Sequence, residues 1–358
     1  MAGTDAALAR PGRLPWFALV VAVAFIVSAC VTVTTDGGSS ATPTASSVVP
    51  SLAPSPSVAP TRVPGVARLG YISLDEGVPF AQIVSASVRS AAADAGVELV
   101  ECDSALTPQG ALDCGVQLGA ADVDGVISFQ GFPAIAADIC DATGNVPTVG
   151  IAFDQGPCEV SRLRLDQLES GRIAGEAMGR FAEGRWDCKI DGYVSLEASA
   201  AGADAVDRMA GYREGFERHC KIPSKVDVTL DGADRVATAQ ARFARTLRQR
   251  KGNKFVVVGL NEDAIVGAMD AAAAAGRARG VFYSGQGADP SVRQTIACDR
   301  QYVASVAHFP ERYGELALPA LIDAIAGESV PELIEGPMEL VTADDIRDHY
   351  PDIAPCDG

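Results

Sequence analysis

The chain carries no recognisable catalytic signature. It has no GxSxG elbow, no Walker loop, no HExxH pair and no dinucleotide GxGxxG after the first strand, and the Gly285-Gln-Gly run stops short of that last pattern. An enzyme is therefore not expected, nor is a cofactor. Histidine is scarce: His219, His308 and His349 are scattered. No CxxC pair and no Cys/His cluster at zinc spacing occurs, which speaks against a metal site. Aromatic residues are only 6% of the chain, low for a protein that stacks rings on sugars. Basic residues are in deficit, with 29 Lys and Arg against 46 Asp and Glu and a formal net charge of −17. That balance argues against nucleic acid and against an anionic membrane surface as partners.

What is present is apolar and glycine-rich. Of 358 residues 48% are hydrophobic and 36 are glycine, enough for two domains. The nine cysteines are an odd number; eight of them can form four disulfides in an oxidising compartment. The ninth has its own explanation. Residues 1–29 read as a targeting segment, with Arg10 and Arg13 ahead of an apolar run from Trp16 to Val27 that is too short to span a bilayer. The run ends in Val27-Ser28-Ala29-Cys30, which resembles the bacterial lipoprotein signal and implies lipidation of Cys30. An ordinary secretory signal is the alternative. Residues 30–65 then comprise that cysteine and a Ser/Thr/Pro-rich tether, reaching on the order of 30 Å as a flexible coil.

From Val66 onward strands and helices alternate. RLGYISL (68–74), GVISF (125–129), VPTVGIA (146–152), GYVSL (192–196) and FVVVG (255–259) are short buried-strand patterns separated by helical stretches. Alternation of this kind predicts right-handed βαβ units and parallel sheets. Phe255 to Ala275 is the clearest unit: a strand, a polar tip at Asn261-Glu262-Asp263, then an alanine-rich helix. Such tips lie at the carboxyl ends of sheet strands, where open α/β sheets bind ligands.

The order of segments resembles the ribose-type periplasmic sugar-binding proteins, the type I solute receptors of ABC importers. The residues carrying it are Arg68-Leu-Gly-Tyr-Ile, Gly96-Val-Glu-Leu, Val123-Asp-Gly-Val-Ile, Asn145-Val-Pro-Thr-Val followed by Asp154, Arg208-Met-Ala-Gly-Tyr-Arg-Glu-Gly-Phe, Asn261-Glu-Asp-Ala, Phe309-Pro-Glu-Arg-Tyr-Gly and Gly327-Glu-Ser-Val-Pro. The match covers roughly Val66 to Ala343. The N-terminal leader replaces the helix-turn-helix of repressors that share this core. The resemblance implies an α/β fold of two doubly wound parallel-sheet lobes joined by a three-strand hinge. One lobe takes 66–163 and 309–337, the other 164–308 and 338–358. The crossings fall near Leu163-Asp166, Ser305-Phe309 and Pro337-Val341, and a ligand closes the lobes by hinge motion.

The resemblance also implies cleft residues. Asn261 offers donors and acceptors to hydroxyls, or caps the helix after it. Asp154, with Gln155, either accepts sugar hydroxyls or is a turn residue; relatives often have arginine where Gln155 stands. Arg208 binds planar polar groups, or is a solvated helix-face arginine. His308 follows the last strand, and Phe80 occupies the loop where relatives stack an aromatic, with Phe132 and Phe153 as alternatives. Two positions depart from the family: Ala233 replaces an aromatic, and the turn aspartate falls within 284–289, where Gln286 or Asp289 substitutes. A ligand other than ribose is implied, such as another sugar, a polyol or a small polar metabolite. The eight remaining cysteines pair by proximity along the chain as Cys102–Cys114, Cys140–Cys158, Cys188–Cys220 and Cys298–Cys356, one of 105 possible pairings. The expected protein is a monomeric, lipid-anchored receptor on the outer face of the cell membrane. It delivers its ligand to an ABC permease or, alternatively, signals through a membrane sensor.

Overall fold

The computed structural model of the protein describes residues 68–356, so the targeting segment, Cys30 and the tether lie outside the described residues. The first series of elements is β1 (Arg68–Ser73), α1 (Pro79–Asp94), β2 (Glu98–Asp103), α2 (Pro108–Ala120), β3 (Gly125–Ser128), α3 (Ala136–Ala142), β4 (Thr148–Ile151) and β5 (Glu159–Arg164). The second is α4 (Gln167–Trp186), β6 (Gly192–Glu197), α5 (Ala203–Glu217), β7 (Asp227–Asp231), α6 (Val236–Gln249), β8 (Phe255–Gly259), α7 (Glu262–Ala274), β9 (Val281–Gly287), α8 (Pro290–Cys298) and β10 (Tyr302–Ala307). The chain closes with α9 (Tyr313–Ile325), β11 (Leu333–Glu335), β12 (Glu339–Val341) and α10 (Ile346–His349).

Two six-stranded sheets result, ordered β11-β5-β4-β3-β1-β2 and β12-β10-β9-β8-β6-β7. All pairs are parallel except β12, which runs antiparallel to β10 at the sheet edge. Helices cover both faces of each sheet, so the central strands read as unbroken apolar runs, β8 being buried at every residue. Local chemistry fixes the helix starts. Pro79, Pro108 and Pro290 sit in first turns, where a missing N–H costs nothing, and Thr107, Asp166 and Asn261 cap α2, α4 and α7. Four disulfides, Cys102–Cys114, Cys140–Cys158, Cys188–Cys220 and Cys298–Cys356, staple the lobes. No helix among the described residues is long and apolar enough to cross a membrane.

The chain passes between the two sheets three times, at 165–166, 308–312 and 336–338. In the second passage Phe309 takes a left-handed conformation, φ 47°, and stacks on Tyr350 at 6.0 Å. The Arg293 guanidinium lies 3.5 Å from the centre of the Tyr350 ring. The tail, pinned by Cys298–Cys356, thus packs on the second passage.

One close approach matters for the site. α4 and α5 meet on glycines: Gly171, Gly175 and Gly179 lie against backbone of Arg208, Tyr212 and Phe216, and Gly211 and Gly215 against Leu168 and Arg172. A Cβ at Gly171 or Gly211 would drive into a backbone carbonyl oxygen, so only glycine permits this spacing. It brings the start of α4 within hydrogen-bond reach of Arg208.

Candidate functional site

The carboxyl ends of the strands of the second lobe present a compact polar group. Arg208, half-buried on α5, donates from Nε at 2.9 Å and from Nη2 at 2.5 Å to Gln167 Oε1, and from Nη1 at 2.6 Å to the Leu260 carbonyl. Two of its five N–H groups have no partner among the described residues, and no carboxylate lies within ion-pair distance. Burial lowers its pKa, while Tyr212, Asp204, Tyr313 and Asp289, in that order, pull the other way. Tyr313 belongs to the first lobe, so Arg208 sits where the two lobes face one another.

Asp289 stands at the first turn of α8, after β9, without a capping bond and is half-buried, with no hydrogen bond to its carboxylate among the described residues. Burial, then the Asp263 carboxylate, pushes its pKa up to about 6, while Arg293 and Arg208 pull the other way. Of the two residues expected to replace the family's turn aspartate, Asp289 keeps an unspent carboxylate. Gln286 is 2% exposed, and its amide is used internally: Oε1 accepts from Ser170 Oγ at 2.6 Å and Nε2 donates to the Ser170 carbonyl at 3.2 Å. His308 joins this group, its Nε2 3.1 Å from Gln286 Oε1. Because that oxygen only accepts, the imidazole carries its proton on Nε2. Burial, and then Arg208, holds the His308 pKa well below the usual value, so the ring is neutral.

Asn261 performs the cap. Its Oδ1 accepts from Ala264 N at 3.0 Å and its Nδ2 donates to the Asp234 carbonyl at 3.0 Å. Directly behind it lies Glu262, 1% exposed, which sequence reasoning passed over although the Asn-Glu-Asp-Ala motif contains it. Tyr302 donates its hydroxyl proton to one carboxylate oxygen; Ser305 Oγ at 2.6 Å and Ala288 N at 2.9 Å donate to the other. Burial raises the Glu262 pKa to about 7 against the pull of these donors. Gly285 borders the cluster, and a Cβ there would collide with both Glu262 and Tyr302, which is why the turn keeps glycine. The cluster holds the backbone N–H of Ala288 and so fixes where Asp289 emerges.

The first lobe contributes rings. Phe80 packs edge-on against Tyr313 at 6.1 Å and against Phe129 at 6.4 Å, and Phe129 stacks with Phe153 at 6.2 Å. Gln155 is buried beneath them: Oε1 accepts from Ser128 Oγ at 2.7 Å and Gln130 Nε2 at 2.9 Å, and Nε2 donates to the carbonyls of Phe153 at 3.0 Å and Gln130 at 3.2 Å. Asp154 points elsewhere. Its side chain is 57% exposed and ion-paired with Arg162 at 2.6 Å. A hydrogen bond from Gly156 N, then Arg162, holds its carboxyl below the usual range.

The structure joins Gln286 to His308 by a hydrogen bond, lets the Arg208 charge act on both His308 and Asp289, and packs Phe80 on Tyr313, which Arg208 also influences. It ties Asn261 and Gln155 into local backbone and leaves Asp154 on an exposed ion pair. Gln167, Ser170 and Tyr313 were not anticipated. Tyr313 lies inside the quoted Phe309-to-Gly314 segment, whereas nothing in the sequence around Gln167 or Ser170 marks them.

Comparison with known proteins places this arrangement. No curated protein matches the chain in sequence. Among solved structures, a Mycobacterium smegmatis protein in complex with β-D-fucofuranose is similar over 80% of this chain and 94% of its own, at 22% identity and a TM-score of 0.66. An ABC transporter solute-binding protein from Bacillus halodurans with bound myo-inositol matches over 81% and 99%, at 17% identity and a TM-score of 0.67. One from Actinobacillus succinogenes with bound D-allose matches over 79% and 99%, at 13% identity and 0.67. At these identities the likeness establishes the fold. About four-fifths of this chain thus accounts for nearly the whole of each relative. The periplasmic binding protein domain, a family of binding proteins and not of enzymes, matches residues 69–329. The chain belongs to the periplasmic binding protein family.

Proposed function

We propose that the protein is an extracytoplasmic solute receptor. It captures a sugar, polyol or similar small polar ligand between its lobes and delivers it to an ABC importer. One observation carries the reading: a half-buried arginine with unspent N–H donors and the half-buried, unbonded Asp289 carboxylate act on one another's charge, and the arginine also acts on Tyr313 of the other lobe, on which Phe80 packs. Guanidinium and carboxylate together donate to and accept from vicinal hydroxyls, and the rings cover the apolar face of a sugar. Arg208 and Asp289 are the direct ligand contacts in this reading, with Phe80 as the stacking ring. Gln286, His308, Asn261 and Gln155 hold the walls of the cleft, and Asp154 stands at its margin. The lobes divide at 66–163 with 309–337 and at 164–308 with 338–358 in this reading, one residue short of the end of β5, whose Arg164 pairs in the first sheet. The sugar- and inositol-bound relatives support the ligand class, and their description as ABC transporter proteins favours import over signalling. Lipidation at Cys30 and the tether hold the monomer at the outer face of the membrane.

A thermal-shift screen of residues 66–358 against sugars, polyols, nucleosides and amino acids tests this. A ligand at 100 times its dissociation constant adds about 2.7 kcal/mol, and a single class of hits should raise the midpoint by a few degrees. A panel with no hit among sugars and polyols contradicts the reading.

A further inference from the structure

The chain has only five lysines, and all of them lie at one end of the second lobe. Lys189 precedes β6, Lys221 and Lys225 precede β7, and Lys251 and Lys254 precede β8. Because β6 to β10 are parallel, their starting ends share one sheet edge, opposite the carboxyl ends that bear Arg208's group. The arginines of this edge interlock with the lysine loops: Arg250 Nη1 donates to the Lys225 carbonyl at 2.5 Å, and Arg277 Nη1 to the Arg250 carbonyl at 2.8 Å. In the helix ends and connections 187–191, 217–226, 248–254, 275–280 and 299–301 there are eleven Lys and Arg against four Asp and Glu. Among the described residues, the Lys and Arg of these connections that form ion pairs are Lys189, with Asp187, and Arg218, with Glu176. Of the four acids, Asp191 is occupied by the backbone N–H groups of Asn253 and Lys254, and Asp299 by that of Gln301. Four of the five lysines are exposed and Lys254 is half-buried.

Helix dipoles do not account for this concentration. Cations are favoured at helix C-termini, and α4 to α8 end at this edge. Yet α1, α2 and α3 end at the matching edge of the first lobe with no basic residue in their last turns. There the helix ends, turns and strand starts at 94–98, 121–124, 141–147 and 326–332 hold seven Asp and Glu and no Lys or Arg, and Arg68, which begins β1 at this edge, is paired with Glu98.

We propose that this basic pole is a docking surface for the anionic phosphate headgroups of a phospholipid bilayer, resting the second lobe on the membrane with its cleft edge directed away. The net charge of −17 opposes such contact for the chain as a whole, but its distribution does not. The parallel strands β6 to β10 of this lobe run five to seven residues, so the cleft edge is about 20 Å from the pole. That is at least two Debye lengths at physiological salt, and the first lobe's acids are screened from a surface touching the pole. Ammonium and guanidinium groups are the donors that phosphate takes up, at about a five-fold gain in partition for each cation near an anionic leaflet.

Residues 66–358, the span that corresponds to nearly the whole of the solved relatives, would be sedimented with vesicles of phosphatidylcholine alone and of equal parts phosphatidylcholine and phosphatidylglycerol, at low and high salt. The expected result is binding only to phosphatidylglycerol vesicles, weakened by salt, and reduced at least about 100-fold by the combined changes Lys189→Glu, Lys221→Glu, Lys225→Glu, Lys251→Glu and Lys254→Glu. An unchanged melting midpoint shows that this variant is folded. The assay contains no sugar, so it stands or falls separately from the ligand reading. Equal binding by the variant, or no phosphatidylglycerol-dependent binding by the native sequence, overturns the proposal. If the native sequence ignores vesicles while the variant impairs uptake in cells, the pole meets an acidic protein, and the bilayer proposal is likewise overturned.

Discussion

The two lobes share one topology and differ in almost everything chemical. In each, five parallel strands follow the same order, with one short strand added at the edge. The first lobe, residues 68–164 and 309–335, has five arginines, no lysine and nineteen acidic residues; the second, 165–308 and 336–356, has twenty-one basic and twenty-four acidic residues. In the proposed reading the first lobe brings Phe80, packed on Phe129 and Tyr313, and the second brings Arg208 and Asp289, backed by the buried His308. The two large upward carboxylate shifts, at Glu262 and Asp289, are both in the second lobe. The fold needs only the apolar strand pattern and the close glycine contacts. The polar and charged positions outside that pattern are free to diverge, which is what the proposed division between a stacking lobe and a hydrogen-bonding lobe requires.

The staples offer the largest test of the contrast. The second lobe's disulfides enclose 32 and 58 residues, the first lobe's 12 and 18. Chain-entropy arguments give about 4 kcal/mol for the 58-residue loop and about 3 kcal/mol for the 12-residue loop. Replacing Cys298 and Cys356 by serine should lower the urea midpoint more than replacing Cys102 and Cys114; the reverse order would remove the contrast.

Next in size is the ligand. Arg208→Ala removes charge-assisted bonds worth roughly 1.5–3 kcal/mol each, so affinity for the sugar found by screening should fall about 100-fold or more. Phe80→Ala removes stacking alone and should cost about ten-fold. Calorimetric titration measures both, and equal losses would erase the division of labour.

Glu262 supplies the pH test. Its pKa is about 7 in the fold against 4.5 ordinarily, so the native state keeps a proton that the unfolded chain releases. The associated stability is fully present below about pH 4.5 and is lost as pH rises through about 7. Glu262→Gln keeps the shape and removes the titration. Its stability should vary less between pH 5 and 8 than that of the native sequence, by up to roughly 3 kcal/mol. Parallel profiles would show that Glu262 does not titrate there.

The smallest effect belongs to the exposed Asp154 carboxylate of the first lobe. Asp154→Ala, which leaves Arg162 paired with Glu159, should change ligand affinity less than about three-fold, since an ion pair with an exposed partner contributes about 1 kcal/mol or less. A large loss would move Asp154 into the ligand contacts.

Most of the fold was legible because buried parallel strands are written as apolar runs, as in Phe255 to Gly259. β5 was not, because Glu159, Arg162 and Arg164 interrupt its pattern and only Ser161 and Leu163 are buried. β11 is a three-residue edge strand with too little burial to leave a signal. At the site, Arg208 and Asp289 could be placed because motif and turn position marked them. Gln167, Ser170 and Glu262 could not, because their roles come from the α4–α5 contact and from a buried cluster assembled across β9 and β10.

Amide hydrogen exchange of residues 66–358, with and without the sugar found by screening, tests the central claim most directly. Binding between the lobes predicts added protection in both cleft faces at once: around Phe80 and Gln130 in the first lobe, and around Ser170, Arg208 and Asp289 in the second. Protection confined to one lobe, or centred on the lysine-bearing edge at 248–254, would contradict it.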